Sequence, residues 1–172
     1  MKTRLLSLLV VLFATTALWA HTFKSGNLYY NTLSDSTVEV IQDDSYASLT
    51  TVAIPSMVSD NSTIYTITEI GAWAFRGCAK LTSVTIPNTI TSIGRSAFYA
   101  CTKLSAITIP NSVTSIGESA LYGTPWYNNQ ADGVIYINNT LYQYKGIMPS
   151  NTSITVKEGT VSICPYAFNN CM

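Results

Sequence analysis

The residues of this 172-residue chain that carry reactive groups are four cysteines, one histidine and a thin scatter of carboxylates. Cys78, Cys101 and Cys171 each follow a phenylalanine by three positions, at Phe75, Phe98 and Phe168. Stacked in a column, such thiols would lie about 5 Å apart, within the Cα separation a disulfide allows. Either neighbouring thiols are oxidised, or the column is free and buried beside the phenylalanines, each thiol serving as a small apolar side chain. The setting beside an aromatic favours the free, buried column. Cys164 and Cys171 have no second thiol pair and no histidine near them in sequence, so a zinc site is not expected. His21 is the only histidine and stands outside any Ser-His-Asp or Cys-His arrangement. Glu118 and Glu158 read as solvated positions rather than an acid–base pair. The glycines form no phosphate loop. The expectation is no catalysis, no metal, no cofactor and no small-molecule substrate.

The second kind of functional residue is the binding contact. Trp126, Tyr127, Tyr136, Tyr142 and Tyr144 concentrate aromatics in one segment, and aromatics are enriched at interface hot spots. The alternative is that Trp126 covers an end of the core while the tyrosines pack a hairpin. Ser83, Thr85 and Thr108, with Thr51, Ala53, Ala106 and Thr155 in line, would form a flat, small, uncharged face that either accepts a partner or is inert sheet surface.

Both groups are positioned by a repeat. LTSVTIPNTITSIGRSAFYAC from Leu81 is written again as LSAITIPNSVTSIGESALYGT from Leu104, every offset being 23 residues (104 − 81, 110 − 87, 117 − 94). A fixed period of this size predicts a solenoid, whose units bury their apolar faces only against neighbours. In one unit L-x-x-V-x-I is a strand, with Val84 and Ile86 inward and Ser83 and Thr85 outward. Pro87 ends the strand. Ile90 and Ile93 turn inward again, and Gly94 is expected to supply a backbone conformation that a β-carbon resists. Ser-Ala-Phe is expected to make a short helical or 3-10 turn, with Phe98 at the centre.

The consensus L-x-x-[VI]-x-I-P-x-x-[IV]-x-x-I-G-x-x-A-[FL]-x-x-C resembles the BspA-like leucine-rich repeat, with three units and a partial fourth from Leu49 to Cys171. Departures are Leu121 for Phe, Thr124 for Cys, Asn151 for Leu, Lys157 for Pro and Cys164 for Gly. The resemblance implies a curved solenoid with a parallel sheet along one face. It also implies adhesion or binding at a cell surface, with no catalytic motif to carry over.

The remaining chain is read around this frame. Residues 1–20 have a basic start at Lys2 and Arg4, an uncharged apolar run from Leu5 to Leu18 and a small residue at Ala20, the layout of a secretory signal peptide. Residues 21–48 carry none of the repeat pattern and are expected to form an N-terminal β-hairpin cap, with strands around Leu28–Tyr30 and Val38–Ile41. Residues 49–172 are the repeats. The first is longer by nine (81 − 49 = 32), the extra residues looping out around Ser59–Tyr65. At about 124–150 a second hairpin, built on Val134–Ile137 and Leu141–Tyr144, is inserted and replaces one coil. The pattern resumes with a strand at Ile154–Val156 and stops short of its next strand, an open edge through which self-association is expected.

Lys2 and Arg4 are two of nine basic residues, so cleavage leaves seven against nine acidic ones, a net charge of −2. No basic patch suggests nucleic acid. The function expected is a secreted or cell-surface binding or adhesion module for an extracellular protein or glycan. The alternative is a structural spacer within a larger surface protein.

Overall fold

The computed structural model describes residues 21–169 and 171. The expected signal peptide lies outside the described residues. Among the described residues no helix is long and apolar enough to cross a membrane.

The described residues open with three antiparallel strands, β1 (Thr22–Ser25), β2 (Leu28–Thr32) and β3 (Thr37–Val40). Alternation places Leu28, Tyr30 and Thr32 inside from β2, and Val38 and Val40 inside from β3. A 3-10 turn at Asp44–Ser48 follows, capped by the Asp43 carboxylate, which accepts the Ser45 N–H at 2.9 Å. Then come β4 (Thr51–Ala53), β5 (Met57–Asp60), β6 (Thr63–Ile70), β7 (Ser83–Thr85), β8 (Ser92–Ile93), β9 (Ala106–Thr108) and β10 (Ser115–Ile116).

These strands stack into two parallel ribbons. One sheet runs β4-β7-β9 with Val52, Val84 and Ile107 in register. The other contains β3-β6-β8-β10 with Val40, Ile70, Ile93 and Ile116 in register. The core lies between them. Leu81, Val84, Ile86, Ile90, Ile93, Ala97, Phe98 and Cys101 are all buried. Phe75 and Phe98 stack with centroids 5.4 Å apart and planes within 4°, and Tyr46 extends the column onto Phe75 at 5.2 Å. At about 1.5–3 kcal/mol for each large apolar side chain buried, a coil is stable only between neighbours.

Four expectations are corrected here. First, β3 belongs to the repeat frame: Gly71 N–H bonds Val40 C=O at 2.8 Å, just as Gly94 bonds Ile70 and Gly117 bonds Ile93. Val40 and Tyr46 thus hold the places of Ile93 and Phe98. Second, the extra residues near Ser59–Tyr65 do not loop out. They form β5 and the start of β6, an antiparallel pair turning at Asn61 (φ 51°), with Val58, Tyr65 and Ile67 buried.

Third, Ser-Ala-Phe makes 3-10-type turns, with the Arg76 N–H on Trp73 C=O at 2.9 Å and the Tyr99 N–H on Ser96 C=O at 3.1 Å, but no continuous helix. Every second N–H in this stretch reaches the neighbouring coil (Phe75 to Ala97 and Gly77 to Tyr99, both 2.8 Å), which a helix would direct to its own carbonyls. The chain rounds the corner through a left-handed residue at Trp73, Ser96, Ser119 and Tyr166, with φ of 59°, 52°, 55° and 61°. Gly94 is therefore not needed for a positive φ. It is needed for close approach, since a Cβ there would lie 2.5 Å from Ala72 N, and one on Gly117 would meet Arg95 N.

Fourth, Ile154–Val156 is not a strand, and the β4-β7-β9 sheet stops at β9. After Leu121, Thr124 caps a short helix α1 (Pro125–Asn128) by accepting the Tyr127 N–H at 3.1 Å. The antiparallel strands β11 (Gly133–Ile137) and β12 (Thr140–Lys145) follow. Asn138, at their turn, donates to the Ile109 and Pro110 carbonyls beyond β9. With these elements occupying the next coil's place, Ile154–Val156 has no neighbouring strand to pair with. Parallel to β12 lies β13 (Ser162–Ile163), and Cys164 N–H bonds Leu141 C=O at 2.9 Å.

Candidate partner-binding surface

In each coil the residue after the central Phe or Leu sits where the turn-side ladder holds the backbone, at Arg76, Tyr99 and Tyr122, again 23 apart. Ladder bonds of 2.8 and 2.9 Å, from Gly77 to Tyr99 and from Ala100 to Tyr122, hold the adjacent coils in register. The side chains line up as a row. The Arg76 guanidinium lies 5.5 Å from the Tyr99 ring, Tyr99 stacks on Tyr122 at 5.6 Å and 16°, and Tyr122 meets Tyr127 at 5.3 Å. Cation–π and offset-stacked contacts of this kind hold planar side chains in one orientation. Trp73 and Tyr122 keep 43% and 46% of their surface exposed. Beside the row runs an open groove whose polar lining includes Asp132, Gln143, Lys145 and Asn169.

This row joins only part of the expected aromatic set. Tyr144 is half-buried and lines the same groove. Tyr127 and Tyr142 are buried, at 6% and 2% exposed. Tyr127 is enclosed between Tyr122, Tyr142 and Lys145, whose ammonium lies 5.7 Å from its ring and bonds the Asn128 and Gln130 carbonyls at the end of α1. Tyr142 spends its hydroxyl on the Leu121 N–H. Trp126 is half-buried against the core. Tyr136 accepts the Lys157 N–H at 2.8 Å, with the Lys157 ammonium 5.9 Å from its ring. Ser83, Thr85 and Thr108 fall together on the β7–β9 face, Thr85 opposite Thr108, with both threonines exposed and Ser83 half-buried. Their shallow depression shares no lining residue with the tyrosine groove. Trp73, Arg76, Tyr99 and Tyr122 were not among the expected contacts, though the 23-residue spacing of Arg76, Tyr99 and Tyr122 was available.

The reactive groups are quiet. All four cysteines are free and buried. Burial pushes the Cys78 and Cys164 thiols up to about 11 and Cys101 to about 12, and the Cys101 thiol donates to Phe75 C=O at 3.0 Å. Protonated thiols are neither nucleophiles nor metal ligands. Glu118 pairs with Arg95 at 3.2 Å across adjacent coils, and His21 meets Asp60 at 2.9 Å. Glu39 and Glu69 are ladder partners. Burial, then the neighbouring Glu39 charge, raises the Glu69 carboxyl, while Asn31 donates to Glu39 at 3.0 Å. Among the described residues no group of three or more His, Cys, Asp or Glu side chains could hold a metal ion.

The family model of the BspA type leucine rich repeat region matches residues 16–147 in six copies. The chain belongs to the BspA-type leucine-rich repeat family. The match takes in β1 to β3, in keeping with the repeat-like placement of Val40 and Tyr46. A leucine-rich repeat protein from Bacteroides ovatus is similar at 30% identity over 87% of this chain, with a TM-score of 0.63. This chain covers 39% of that protein. The leucine rich repeat protein of T. pallidum shares the fold at 20% identity and a TM-score of 0.56, over 88% of this chain and 68% of that one. A comparison with curated proteins finds no match.

Proposed function

We propose that this BspA-type chain is an exported, non-catalytic binding module that engages an extracellular protein through the turn-side aromatic row. The observation that carries the reading is the row itself. Trp, Tyr and Arg are the residue types that dominate interface hot spots, and here Arg76, Tyr99 and Tyr122 are held in a stacked row, with exposed Trp73 lining a depression shared with Arg76 and Tyr99. Ordered aromatics lose little conformational freedom on binding. The apolar run after Lys2 and Arg4 supports export to the medium or the outer surface. The protonated thiols and paired or isolated carboxylates support a module without chemistry. In this reading the chain is a solenoid, with β1 and β2 covering its first coil and the segment at 124–150 as an insertion. Val161, Ile163, Tyr166 and Phe168, exposed on the last coil, offer a surface for self-association, read by sedimentation over a range of concentrations.

The test is an array of extracellular-matrix proteins and glycans probed with residues 21–172, beside Trp73→Ala/Tyr122→Ala and Thr85→Lys/Thr108→Lys variants. Saturable binding to a protein, weakened about tenfold or more in the aromatic variant alone, is the expected result. Loss only in the threonine variant moves the contact to the β7–β9 face. Binding to glycans alone overturns the protein partner. A second reading, a spacer within a larger surface protein, draws on the chain's covering 39% of the B. ovatus protein; an array with no binding favours it.

A further inference from the structure

Strand β4 ends the β4-β7-β9 sheet, so among the described residues one of its edges has no strand beside it. The bonds that tie it inward come from alternate residues: Thr50 C=O accepts from Thr82 at 2.8 Å and Ile54 N–H bonds Thr85 C=O at 3.1 Å. By that alternation Thr51 and Ala53 direct their N–H and C=O groups away from β7. Along this outward side runs a groove of about 420 Å³, lined by β4 with Leu49 and Pro55 on either side of it, and walled by the β1–β2 turn and β5. No β7 residue lines it. Its apolar surface comes from Leu28, Leu49, Val52, Met57 and Val58, and none of its lining residues is charged.

Exposed sheet edges are ordinarily guarded by shortness, prolines, lysines, bulges or inward charges. Here β4 is three residues long and Pro55, in phase with Thr51 and Ala53, has no N–H, so the outward groups left for pairing are those of Thr51 and Ala53. We propose that the β4 groove is a peptide-binding site that takes an uncharged, extended segment of a partner protein as an added strand. Backbone bonds to Thr51 and Ala53 would hold the segment, and alternate apolar side chains would enter the groove. At about 3.3 Å per residue, β4 and its flanks accommodate about four residues of such a segment. The wall formed by the β1–β2 turn and β5 admits a single strand more readily than the edge of a second folded sheet.

The test pans a random-heptapeptide phage library against residues 21–172 and measures enriched peptides by calorimetry and amide exchange. Ala53→Pro removes one outward N–H without touching the inward bonds, a substitution edge strands tolerate. Ala53→Val keeps that N–H and controls for the change of side chain. Enriched peptides should alternate apolar residues, protect the Thr51 and Ala53 amides, and bind about tenfold or more weakly to Ala53→Pro than to Ala53→Val. N-methylating alternate peptide positions should abolish binding in one register only. No enrichment, or peptides bound equally by both variants, overturns the site. Concentration-dependent dimers that peptide dissociates would assign the edge to a second copy and overturn the partner-peptide reading. The Trp73→Ala/Tyr122→Ala variant should still bind peptide, which separates this site from the aromatic row.

Discussion

The hydroxyl of Tyr142 accepts the backbone N–H of Leu121 at 2.9 Å. In the two preceding coils the same N–H, from Phe75 and from Phe98, goes to the carbonyl of the next coil, Ala97 and Ala120, at 2.8 Å. Where the coil after Leu121 is replaced by α1, β11 and β12, a side chain supplies the acceptor that a carbonyl would have supplied. At the other end of the aromatic column the hydroxyl of Tyr46 accepts the Tyr29 N–H at 2.6 Å.

Tyr142→Phe leaves the ring in place and the buried Leu121 N–H without a partner. Stranding a buried donor costs about 1–3 kcal/mol, so the urea midpoint should fall clearly and the Leu121 amide should exchange faster. Tyr46→Phe strands the N–H of half-buried Tyr29, where water can substitute, and should cost less. Equal losses in the two variants would argue against the bridging role of Tyr142.

Gly94→Ala places a Cβ against the backbone of the preceding coil, 2.5 Å from Ala72 N and 2.7 Å from the Gly71 carbonyl carbon. Backbone cannot rotate aside as a side chain can, so the loss should reach about 3 kcal/mol, the upper end for overpacking. Gly26→Ala, at φ +59° with nothing within 4 Å, should lose only the left-handed preference, about 1 kcal/mol. Thermal unfolding of the two variants measures the difference.

Stability should fall in alkali. Burial holds the Cys78 and Cys164 thiols near 11, and Cys101 and the Tyr30 hydroxyl near 12, while unfolded thiols ionise near about 8.5. Between about pH 9 and 12 the unfolded chain sheds protons that the folded chain keeps, so the stabilisation is full below that window and is lost as pH rises through it. The urea midpoint should be level through neutral pH and then decline. Ellman's reagent at pH 8 should find Cys78, Cys101 and Cys164 unreactive until urea unfolds the chain.

Arg95→Ala breaks the ion pair with Glu118, whose partner side chain is 61% exposed. Surface pairs of this kind contribute about 0–1 kcal/mol, so the midpoint should barely move, and less still in high salt. A loss of several kcal/mol would show that the pair helps to set the coil spacing.

The period was legible because the positions that stack, Leu81 on Leu104 and Ile93 on Ile116, must be alike in every coil. Tyr46 was not legible as a coil centre, since β3 has neither the glycine nor the proline that marks the later units. The stretch around Ser59–Tyr65 reads as polar loop, yet alternation buries Val58, Tyr65 and Ile67 on one face. Gly94 shows that a side chain is excluded, but residue type alone does not say whether conformation or crowding excludes it. Tyr142 and Tyr122 are the same residue type with opposite fates. One is buried on a backbone N–H and the other stands at the surface, a difference set by neighbours 21 and 23 residues away.

The β11-β12-β13 sheet joins neither of the two ribbons before it. Among the bonds that span the junction are side-chain ones: Tyr142 to Leu121, Asn138 to Ile109 and Pro110, and Ser162 to Thr114. Strands lie across the long axis of the stack, so a tension applied along it pulls on the bonds between coils in series. Under such a load the backbone ladders between β3 and β10 share the force at each step, while the junction after Leu121 rests on scattered single bonds. A stack built this way should part first at that junction, where the β12–β13 sheet meets the β10 coil.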